Sequence, residues 1–478
     1  MTRLLLRNGA VHGGRPGRRA TALAVEDGRV VFTGDEEAAN AYENADEVVD
    51  LEGALVTPAF VDSHVHTVRT GFALTGLDLA GARSLAATLD ALAGHAIAND
   101  DAGVLVGQGW DETDWPERRP PTGDELERAA PGRRTYLTRV DGHSSVVSPA
   151  LATLVPGLEQ LDGWTPDGRV ERDAHHAVRA TLESLIGPEE RLDAARAACR
   201  RMAAQGIVGF HENAAPHIGP EHEIDMVRRA AAEVGLRATV YWGELLAVDT
   251  AKRLGVAGLA GDLIADGAFG SRTAALSAPY ADRPDSCGHA YVSAEQSLGT
   301  ERVARARHRL EHVEMPAPAM VRTMSRLGVV ASVQPMFDGL WGGPDGMYAA
   351  RLGERWKATN PFLALESAPV WLAFGSDSPV TPLGPWAAVR AAAYHRHDAQ
   401  RLPVGLAFRA HTRGGAFAAH DDEGGSLRHG ARADLAVWDV PGGLGDDDLP
   451  DLTPGTELPR LRRTVSEGRT IHLDEDAA

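Results

Sequence analysis

Two histidines that stand one residue apart, His64 and His66, end a short apolar run that begins at Thr57. In a strand, residues i and i+2 point to the same side, so both imidazoles can face one point just beyond the end of the strand. Two ligands of a metal site can be built in this way, because neutral imidazole binds zinc and similar divalent ions. The spacing alone does not separate a ligand pair from two surface or core histidines, so the metal interpretation depends on residues elsewhere in the chain.

Short apolar segments later in the chain also end in polar residues. They alternate with helical periods, which is the pattern of a parallel (β/α)8 TIM barrel. The carboxyl ends of the strands form the active-site face of such a barrel, so side chains far apart in sequence meet there. The strands predicted after the first one span residues 207–211, 238–244, 263–266, 310–312, 329–335 and 372–377.

Helices are predicted where apolar residues recur three and four positions apart. The clearest examples span residues 84–97, 193–204 and 221–234. His175 and His176 lie on a charged helical stretch, and we read both as surface residues.

The two ends of the chain predict a second, smaller domain that is made only of strands and lies beside the α/β barrel. Residues 4–56 read as short strands, and residues 434–439 and 463–472 alternate in the same way. We expect residues 1–57 and 422–478 to form one β-sandwich, with the barrel of residues 58–421 inserted between its halves. Residues 100–170 do not fit a βα repeat and predict an insert that forms a lid or a pocket wall.

Composition narrows the classes of function. The chain has 478 residues, 43% of them hydrophobic, and a net charge of −19, which disfavours binding to nucleic acid. No apolar run reaches the length that crosses a membrane, so we expect a cytoplasmic protein with no membrane partner. Cys199 and Cys287 cannot form a disulfide framework and are read as ordinary thiols.

Seven motifs in series resemble one known family, in its order and nearly from end to end. They are Val61-Asp-Ser-His-Val-His66, Gly107-Gln-Gly-Trp-Asp111, Asp141-Gly-His143, Asp266-Gly-Ala-Phe-Gly-Ser-Arg-Thr-Ala274 with Pro279-Tyr-Ala-Asp282, Arg309-Leu-Glu-His312, Gly375-Ser-Asp-Ser-Pro379 and Ala433-Asp-Leu. Together they are similar to the amidohydrolase superfamily and, more narrowly, to its amidohydrolase-3 branch of YtcJ-like and N-substituted formamide deformylase-like proteins. The resemblance implies a metal-bearing TIM barrel beside a small β-sandwich, in which water attacks a carbon–nitrogen bond.

The resemblance also implies roles for individual residues. His64 and His66 match the metal ligands of the first strand, His312 matches the histidine of the sixth strand, and Asp377 matches the aspartate of the eighth. This donor set suits a divalent metal, with zinc expected, whose bound water has a pKa near 7. Asp377 is then the catalytic base, which takes the proton from water and later delivers it to the departing amine.

Five further residues in or beside the motifs are candidate substrate contacts: Trp110, His143, His211, Asp266 and Arg272. The two histidines could instead be satisfied by the backbone. Asp266 and Arg272 flank a Gly-rich stretch that either shapes the pocket or forms a structural turn with an ion pair. Trp110 could wall an apolar site, although a buried tryptophan more often serves packing.

The sequence departs from the family pattern at the fourth strand. The family commonly has a lysine there, often carboxylated as a ligand that bridges two metals, and the matching residue here is Asp262. Aspartate is several atoms shorter and cannot bridge from the same backbone position. One metal is therefore favoured over two.

The second departure is a missing fifth strand, whose histidine is a metal ligand in the family. Residues 293–308 have room for one short helix, whereas a β/α crossover unit needs roughly 30 residues. Seven strand candidates remain for an eight-stranded barrel, unless residues 104–106 or 135–138 of the insert fill the gap. A deletion that damages the site and an omission of residues at a seam near Ser297 are the favoured explanations. The third is a rearranged barrel in which His211 or His143 supplies the lost ligand.

Three functions follow from these features. The leading one is a metal-dependent hydrolase of a linear amide or formamide with a small-molecule substrate. A deaminase or cyclic amidohydrolase could use the same constellation, and the missing strand supports a catalytically impaired relative kept for binding. Barrels of this kind often pair, so a homodimer is also an expectation.

Overall fold

The computed structural model of the chain describes residues 3–13, 20–99, 103–261, 266–291, 307–445 and 447–474. The strands in these ranges, numbered in chain order, are β1 (Arg3–Arg7), β2 (Ala10–Val11), β3 (Ala22–Glu26), β4 (Arg29–Gly34), β5 (Glu47–Asp50), β6 (Leu55–Pro58), β7 (Phe60–Val65), β8 (Leu77–Asp78), β9 (Leu105–Trp110), β10 (Thr135–Arg139), β11 (Ser144–Val147), β12 (Arg169–Glu171), β13 (Ile207–Ala214), β14 (Arg237–Trp242), β15 (Arg309–Glu311), β16 (Val330–Val333), β17 (Leu372–Phe374), β18 (Leu435–Asp439), β19 (Arg460–Ser466) and β20 (Arg469–Leu473).

The α-helices of the described residues are Glu36–Ala39, Thr67–Thr75, Leu85–Ala98, Gly123–Ala129, Pro149–Ala152, Arg172–Leu185, Pro188–Ala203, Glu223–Val234, Val248–Leu254, Pro318–Leu327, Pro335–Trp341, Met347–Leu352, Phe362–Ser367, Pro385–Ala393, Val404–Arg409 and Gly415–Ala418. Within the described ranges, no helix is both long and apolar enough to cross a lipid bilayer.

Strands from both ends of the chain share one sheet. Its order is β2-β6-β18-β19-β20, and a second sheet with the order β4-β3-β1-β5 comes from the N-terminal segment alone. Leu6 and Leu23 of the second sheet belong to the same buried apolar cluster as Val437 and Val465 of the first. Because burial of apolar surface is the main stabilising term, this shared cluster joins the two ends of the chain into one body.

The strands that carry the predicted ligands are parallel. They form two three-stranded sheets, β14-β13-β7 and β15-β16-β17, and a parallel bridge between Val65 and Ser378 links β7 to the segment after β17. The six strands therefore follow one another in the order β14-β13-β7-β17-β16-β15. β7, β16 and β17 are buried along their whole length, as expected for parallel strands covered on both faces. The carboxyl ends of all six strands lie on the same side.

The helix Thr67–Thr75, which begins directly after His66, packs closely against the helix Pro188–Ala203. A Cβ atom built on Gly71 would lie 1.9 Å from the carbonyl oxygen of Ala194, so only glycine fits at this crossing. We expect Gly71→Ala to destabilise the fold by about 1–3 kcal/mol through overpacking, measured as a lower midpoint of thermal unfolding. Gly94→Ala is the matched control, because a Cβ atom there meets nothing within 4 Å. That change should raise stability by about 0.5–1 kcal/mol, and an equal effect of both substitutions would contradict the packing argument.

The insert has a sheet of its own, in the order β12-β11-β10-β9-β8, which extends from Leu77 to Glu171. β9 pairs with β8 and β10, and β10 also pairs with β11. The expectation that residues 104–106 or 135–138 complete the barrel is therefore wrong, since both segments are committed to this separate sheet.

The predicted helices are present with shifted boundaries. Leu85–Ala98 begins after Ser84, whose side chain accepts a hydrogen bond from the amide of Ala87. Pro188–Ala203 begins five residues earlier than predicted, because Pro188 occupies the first turn of the helix, where a missing N–H costs nothing. Three predicted features lie outside the described residues: residues 263–265 of the strand predicted at 263–266, the Asp262 position and the seam at Ser297.

Candidate metal centre and substrate cavity

Main-chain hydrogen bonds hold the end of β7 against the segment that follows β17. The amide of Asp377 donates to the carbonyl of His64 at 2.7 Å, and the amide of His66 donates to the carbonyl of Ser378 at 2.9 Å. A Cβ atom on Gly375 would lie 2.4 Å from the amide nitrogen of His64, so this close approach requires glycine. The Gly-Ser-Asp motif thus brings Asp377 to the histidine pair through the backbone.

The predicted ligands converge at these strand ends. Oδ1 of Asp377 lies 3.2 Å from Nε2 of His66 and 3.3 Å from Nε2 of His64. His64, His312 and Asp377 each offer one ligand atom, and these atoms lie within 4.8 Å of one another. An ion with bonds of about 2.0–2.2 Å can join donors at such separations. The sequence-based expectation that histidines near position 65 meet a distant aspartate agrees with this geometry.

Each of the three histidines has an oxygen acceptor at Nδ1. The pairs are His64 with Glu311 Oε2 at 2.8 Å, His66 with the Asn213 carbonyl at 3.1 Å, and His312 with Gln334 Oε1 at 2.8 Å. An acceptor at Nδ1 fixes the ring proton there and leaves the Nε2 lone pair for a metal. The donor set therefore fits a divalent cation.

Two of the candidate ligands have an unusual backbone conformation. His312 has φ of 64° and Asp377 has φ of 54°, both in the left-handed region that residues other than glycine seldom adopt. Such a conformation costs about 1–3 kcal/mol and is concentrated at functional sites, where the surrounding structure holds it. This observation supports a functional role for both positions without reference to their side chains.

A buried ion pair supports His64 from behind. Arg309 donates from Nε to Glu311 Oε1 at 2.6 Å and from Nη2 to Ser332 Oγ at 2.7 Å. Burial alone would raise the pKa of Glu311, but the Arg309 guanidinium and the hydrogen bond with His64 outweigh it and hold this pKa well below its usual range. Glu311 is therefore an anionic acceptor that orients the His64 ring.

We expect Glu311→Gln to weaken metal affinity by about 10–100-fold, because the amide is a poorer acceptor for His64 Nδ1. Competition with a chelator of known affinity measures the change. Glu354→Gln is the control, since Glu354 is an exposed residue that pairs with Lys357. Unchanged affinity in a folded Glu311→Gln variant would show that this carboxylate does not support the metal centre.

Asp62 also holds the strand ends together, and sequence reasoning assigned it no role. Its buried Oδ1 accepts from the amides of His64 at 3.1 Å and Ser376 at 2.9 Å. A carboxylate inside an apolar strand must find such partners, because burying a charge is costly. A carboxylate inside the strand motif Val61-Asp-Ser-His was the sequence signal that could have identified Asp62. Glu311 stands in the same way inside Arg309-Leu-Glu-His312.

A cavity of about 470 Å³ opens at the candidate metal ligands His66, His312 and Asp377. Two predicted substrate contacts, His143 and Asp266, line it. A second cavity of about 100 Å³ shares His312, Asp377 and His143 with the first and has an aromatic wall of Phe337, Trp341 and Tyr348. The candidate centre thus lies where a large and a small compartment meet.

The other three predicted contacts do not line either cavity. Trp110 is fully buried and donates from Nε1 to the Leu137 carbonyl at 2.9 Å, as a packing residue does. Arg272 pairs with Asp282 at 2.7 Å, which is the structural ion pair foreseen as the alternative. Their positions correct the expectation that these side chains wall the substrate site.

His211 lies in the buried network beside the candidate metal centre. Its Nδ1 accepts from Arg309 Nη1 at 2.6 Å. Burial, followed by the Arg309 charge, holds the pKa of His211 well below its usual value, so the ring is neutral. Among the described residues, neither His211 nor His143 belongs to the group of His64, His312 and Asp377 that could hold a metal. His66 also lies outside this group and is kept as a candidate because its Nε2 is 3.2 Å from Oδ1 of Asp377. The geometry gives no support to the rearranged barrel in which one of them is a ligand.

The prediction that His175 and His176 are surface residues is wrong for His175, which is buried, and His176 is half-buried. Both line the large cavity, and His175 is only 2% exposed. The helix Arg172–Leu185 turns this face inward because it packs beside the sheet of the insert, through the buried residues Val170, Ala174 and Val178. The sequence shows the charge of this helix but not the packing partner that buries one side of it.

Comparison with known structures identifies the fold class. The chain is similar to an uncharacterized metal-dependent hydrolase from Pyrococcus horikoshii, with a TM-score of 0.72, 23% identity and coverage of 98% of this chain and 100% of the other. The fold is therefore of the TIM-barrel type with α and β elements. The model of the amidohydrolase family matches residues 47–309 and 289–472, so this chain belongs to the amidohydrolase family.

Two curated relatives refine this placement. The putative amidohydrolase YtcJ of Bacillus subtilis is 26% identical over 535 aligned positions, which cover 96% of this chain and 98% of that protein. The N-substituted formamide deformylase of Arthrobacter pascens is 28% identical over 167 positions, which cover 34% of this chain and 30% of that protein. The predicted branch of the superfamily is confirmed.

The comparisons also bear on the missing strand. The family model matches in two segments that overlap at residues 289–309. The alignment with YtcJ runs to 535 positions, although this chain has 478 residues. The relative therefore carries residues that have no counterpart here. The overlap of the two segments includes Ser297, the seam named from the sequence, whereas the alignment length gives no position for the extra residues.

Proposed function

We propose that this protein is a metal-dependent amidohydrolase that hydrolyses a non-peptide carbon–nitrogen bond of a small amide or formamide. One observation carries the proposal: His64, His66, His312 and Asp377 meet at the carboxyl ends of parallel strands, at the mouth of a cavity. In barrels of this type that face holds the active site. The scaffold we propose is an eight-stranded barrel short of one βα unit, beside a β-sandwich formed by residues 1–57 and 422–478.

His64, His66, His312 and Asp377 are the residues that would hold the ion, with zinc as the expected metal. When bound, a divalent ion of this kind lowers the pKa of water to about 7 and polarises a carbonyl oxygen. The histidines arrive already oriented, because their Nδ1 atoms are fixed by Glu311, by a main-chain carbonyl and by Gln334. The absence of the fifth-strand histidine and of the bridging lysine favours a single ion.

The proton steps fall to Asp377. Its carboxylate lines both cavities, so it is placed to accept a proton from the attacking water and to deliver it to the departing amine. An amine is a poor leaving group until it is protonated, so delivery of the proton to the amine matters as much as its removal from water. The two cavities would hold the two parts of the substrate on either side of the bond that breaks.

The proposal is tested by assaying the zinc-loaded protein against linear formamides, short acyl amides, cyclic amides and amino-substituted rings, with detection of the amine or ammonia released. Hydrolysis of a linear amide supports the proposal. Turnover of ring substrates alone would establish the deaminase or cyclic amidohydrolase instead. No turnover by any member of the panel would favour a catalytically impaired relative. The cytoplasmic location and the homodimer stay predictions.

A further inference from the structure

The small cavity of about 100 Å³ has aromatic side chains on one side. Like the large cavity, it opens at His312 and Asp377, so a substrate whose reacting bond lies there can place one part in each cavity. We use the name aromatic wall for the apolar side chains of the small cavity that lie together in one cluster: Phe269, Phe337, Trp341, Met347 and Tyr348. The aromatic wall therefore faces whichever part of the substrate enters the small cavity.

The rings of the aromatic wall are held by contacts with one another. The ring centroid of Phe337 lies 5.0 Å from that of Trp341, and the centroid of Tyr348 lies 5.5 Å from that of Phe269. Phe337 also stacks on His312, with centroids 5.9 Å apart and ring planes inclined by 19°. Rings packed in this way cannot move aside without losing contacts. The aromatic wall thus limits the size of a group that lies next to His312.

The polar groups beside the aromatic wall pair with one another. Arg139 contacts Asp111 at 2.6 Å and Asp141 at 2.9 Å, and the hydroxyl of Tyr348 donates to the carboxylate of Glu314. A polar group that enters this cavity would lose its hydration while these side chains are already engaged. The small cavity therefore favours an uncharged, apolar group.

The volumes of the two cavities differ enough to separate the two parts of a substrate. Benzene occupies a cavity of about 150 Å³, which corresponds to about 25 Å³ for each carbon atom. At that packing the small cavity, of about 100 Å³, admits about four non-hydrogen atoms, so a phenyl group does not fit. The large cavity, of about 470 Å³, has room for a bulkier part.

We propose that the small cavity binds the acyl group of the substrate, that it admits only short uncharged acyl groups, and that Trp341 sets this limit. The inference rests on the proposed function, because a formamide or short-chain amide has its smaller part on the carbonyl side of the bond that breaks. The bulkier group on nitrogen then lies in the large cavity. Trp341 is half-buried at the end of the helix Pro335–Trp341, so it can be shortened without disturbing the contact of Phe337 with His312.

The test compares N-benzylformamide, N-benzylacetamide and N-benzylbenzamide as substrates of the zinc-loaded wild type and of Trp341→Ala. For each amide, the ratio of kcat/KM in the variant to kcat/KM in the wild type cancels the intrinsic reactivity of that amide. We expect a ratio near one for the formyl substrate and a ratio about 10–200-fold higher for the benzoyl substrate, the range that a single methylene changes in a fitted pocket. Trp341→Phe should give a smaller increase.

Trp371→Ala is the matched control. The ring of Trp371 is 40% exposed, stacks on Phe417 with centroids 4.0 Å apart, and lines neither cavity. This variant should give the same ratio for all three amides. Equal ratios in a folded Trp341→Ala variant would overturn the size limit and leave the proposed function standing.

N-Methylformamide tests which part of the substrate enters the small cavity. If Trp341→Ala changes the preference between N-methyl and N-benzyl formamides but not the preference among acyl groups, the small cavity holds the amine part and the inference is wrong. An unchanged preference on the nitrogen side, together with the expected rise for the benzoyl group, supports it.

If none of these amides is hydrolysed, the proposed function fails, and calorimetric binding of the same amides to the zinc-loaded protein still decides the question. Weaker binding of the benzoyl than of the formyl compound, relieved by Trp341→Ala but not by Trp371→Ala, would support the size limit. The same relative affinities in wild type and Trp341→Ala, or no binding of any amide, would overturn it.

Discussion

Asp377→Asn is expected to lower kcat by at least about 10²–10⁴-fold, the usual contribution of one general acid–base group. Asparagine has the same shape as aspartate but cannot accept the proton of the attacking water, and its amide is a weaker ligand than a carboxylate. Asparagine also tolerates the left-handed region better than most residues, so it can adopt the φ of 54° found at this position. Loss of activity can then be assigned to chemistry and not to unfolding.

Asp345→Asn provides the control for this experiment, because Asp345 is exposed and precedes the helix Met347–Leu352. It removes the same charge and should leave kcat unchanged. The thermal unfolding midpoint of both variants is measured beside the steady-state rate. Wild-type kcat in folded Asp377→Asn would contradict the role of this carboxylate and would require a different proton acceptor at the site.

Removal of metal is expected to abolish activity, and restoration should be complete after one equivalent of zinc. The reason is the donor set, in which three imidazoles and one carboxylate converge while the usual bridging position is occupied by Asp262 in the sequence. A titration of chelated protein with zinc, followed by activity at each addition, measures the stoichiometry. His64→Ala should fail to recover at any zinc concentration that saturates the wild type.

Two outcomes of that titration would contradict a catalytic site with a single metal ion. Full activity of the chelated protein would show that the histidines serve another purpose. Recovery that needs two equivalents would show that a second ion binds despite the departure at Asp262. His12, whose ring centroid lies 5.3 Å from that of Phe408, offers a control. His12→Ala should leave the stoichiometry at one.

The ligand positions could be predicted because the carboxyl ends of parallel strands share one edge. Residue type and position after an apolar segment placed His64, His66 and Asp377 at that edge, and the family resemblance supplied their role as candidate ligands. The residues behind them could not be predicted in the same way. Glu311 acts on His64 across strands that are distant in sequence, and which side of a strand faces a given ligand depends on the register between strands.

The residues that line the substrate cavity were less predictable than the candidate metal ligands. Trp110 and Arg272 lie in matching motifs, yet their side chains pack inside the insert or form an ion pair, since a motif fixes a backbone segment more than the direction of each side chain. His175 was assigned to the surface because its helix is rich in charge. Its burial depends on the sheet of the insert, which has no counterpart in a plain βα repeat.

The most direct test of the central claim is anomalous X-ray scattering from crystals of the zinc-loaded protein, collected on both sides of the zinc absorption edge. One peak is expected about 2.0–2.2 Å from Nε2 of His64 and His66 and from a carboxylate oxygen of Asp377, with His312 completing the site. No peak among these residues after zinc loading, or imidazoles turned away from a common point, would contradict it.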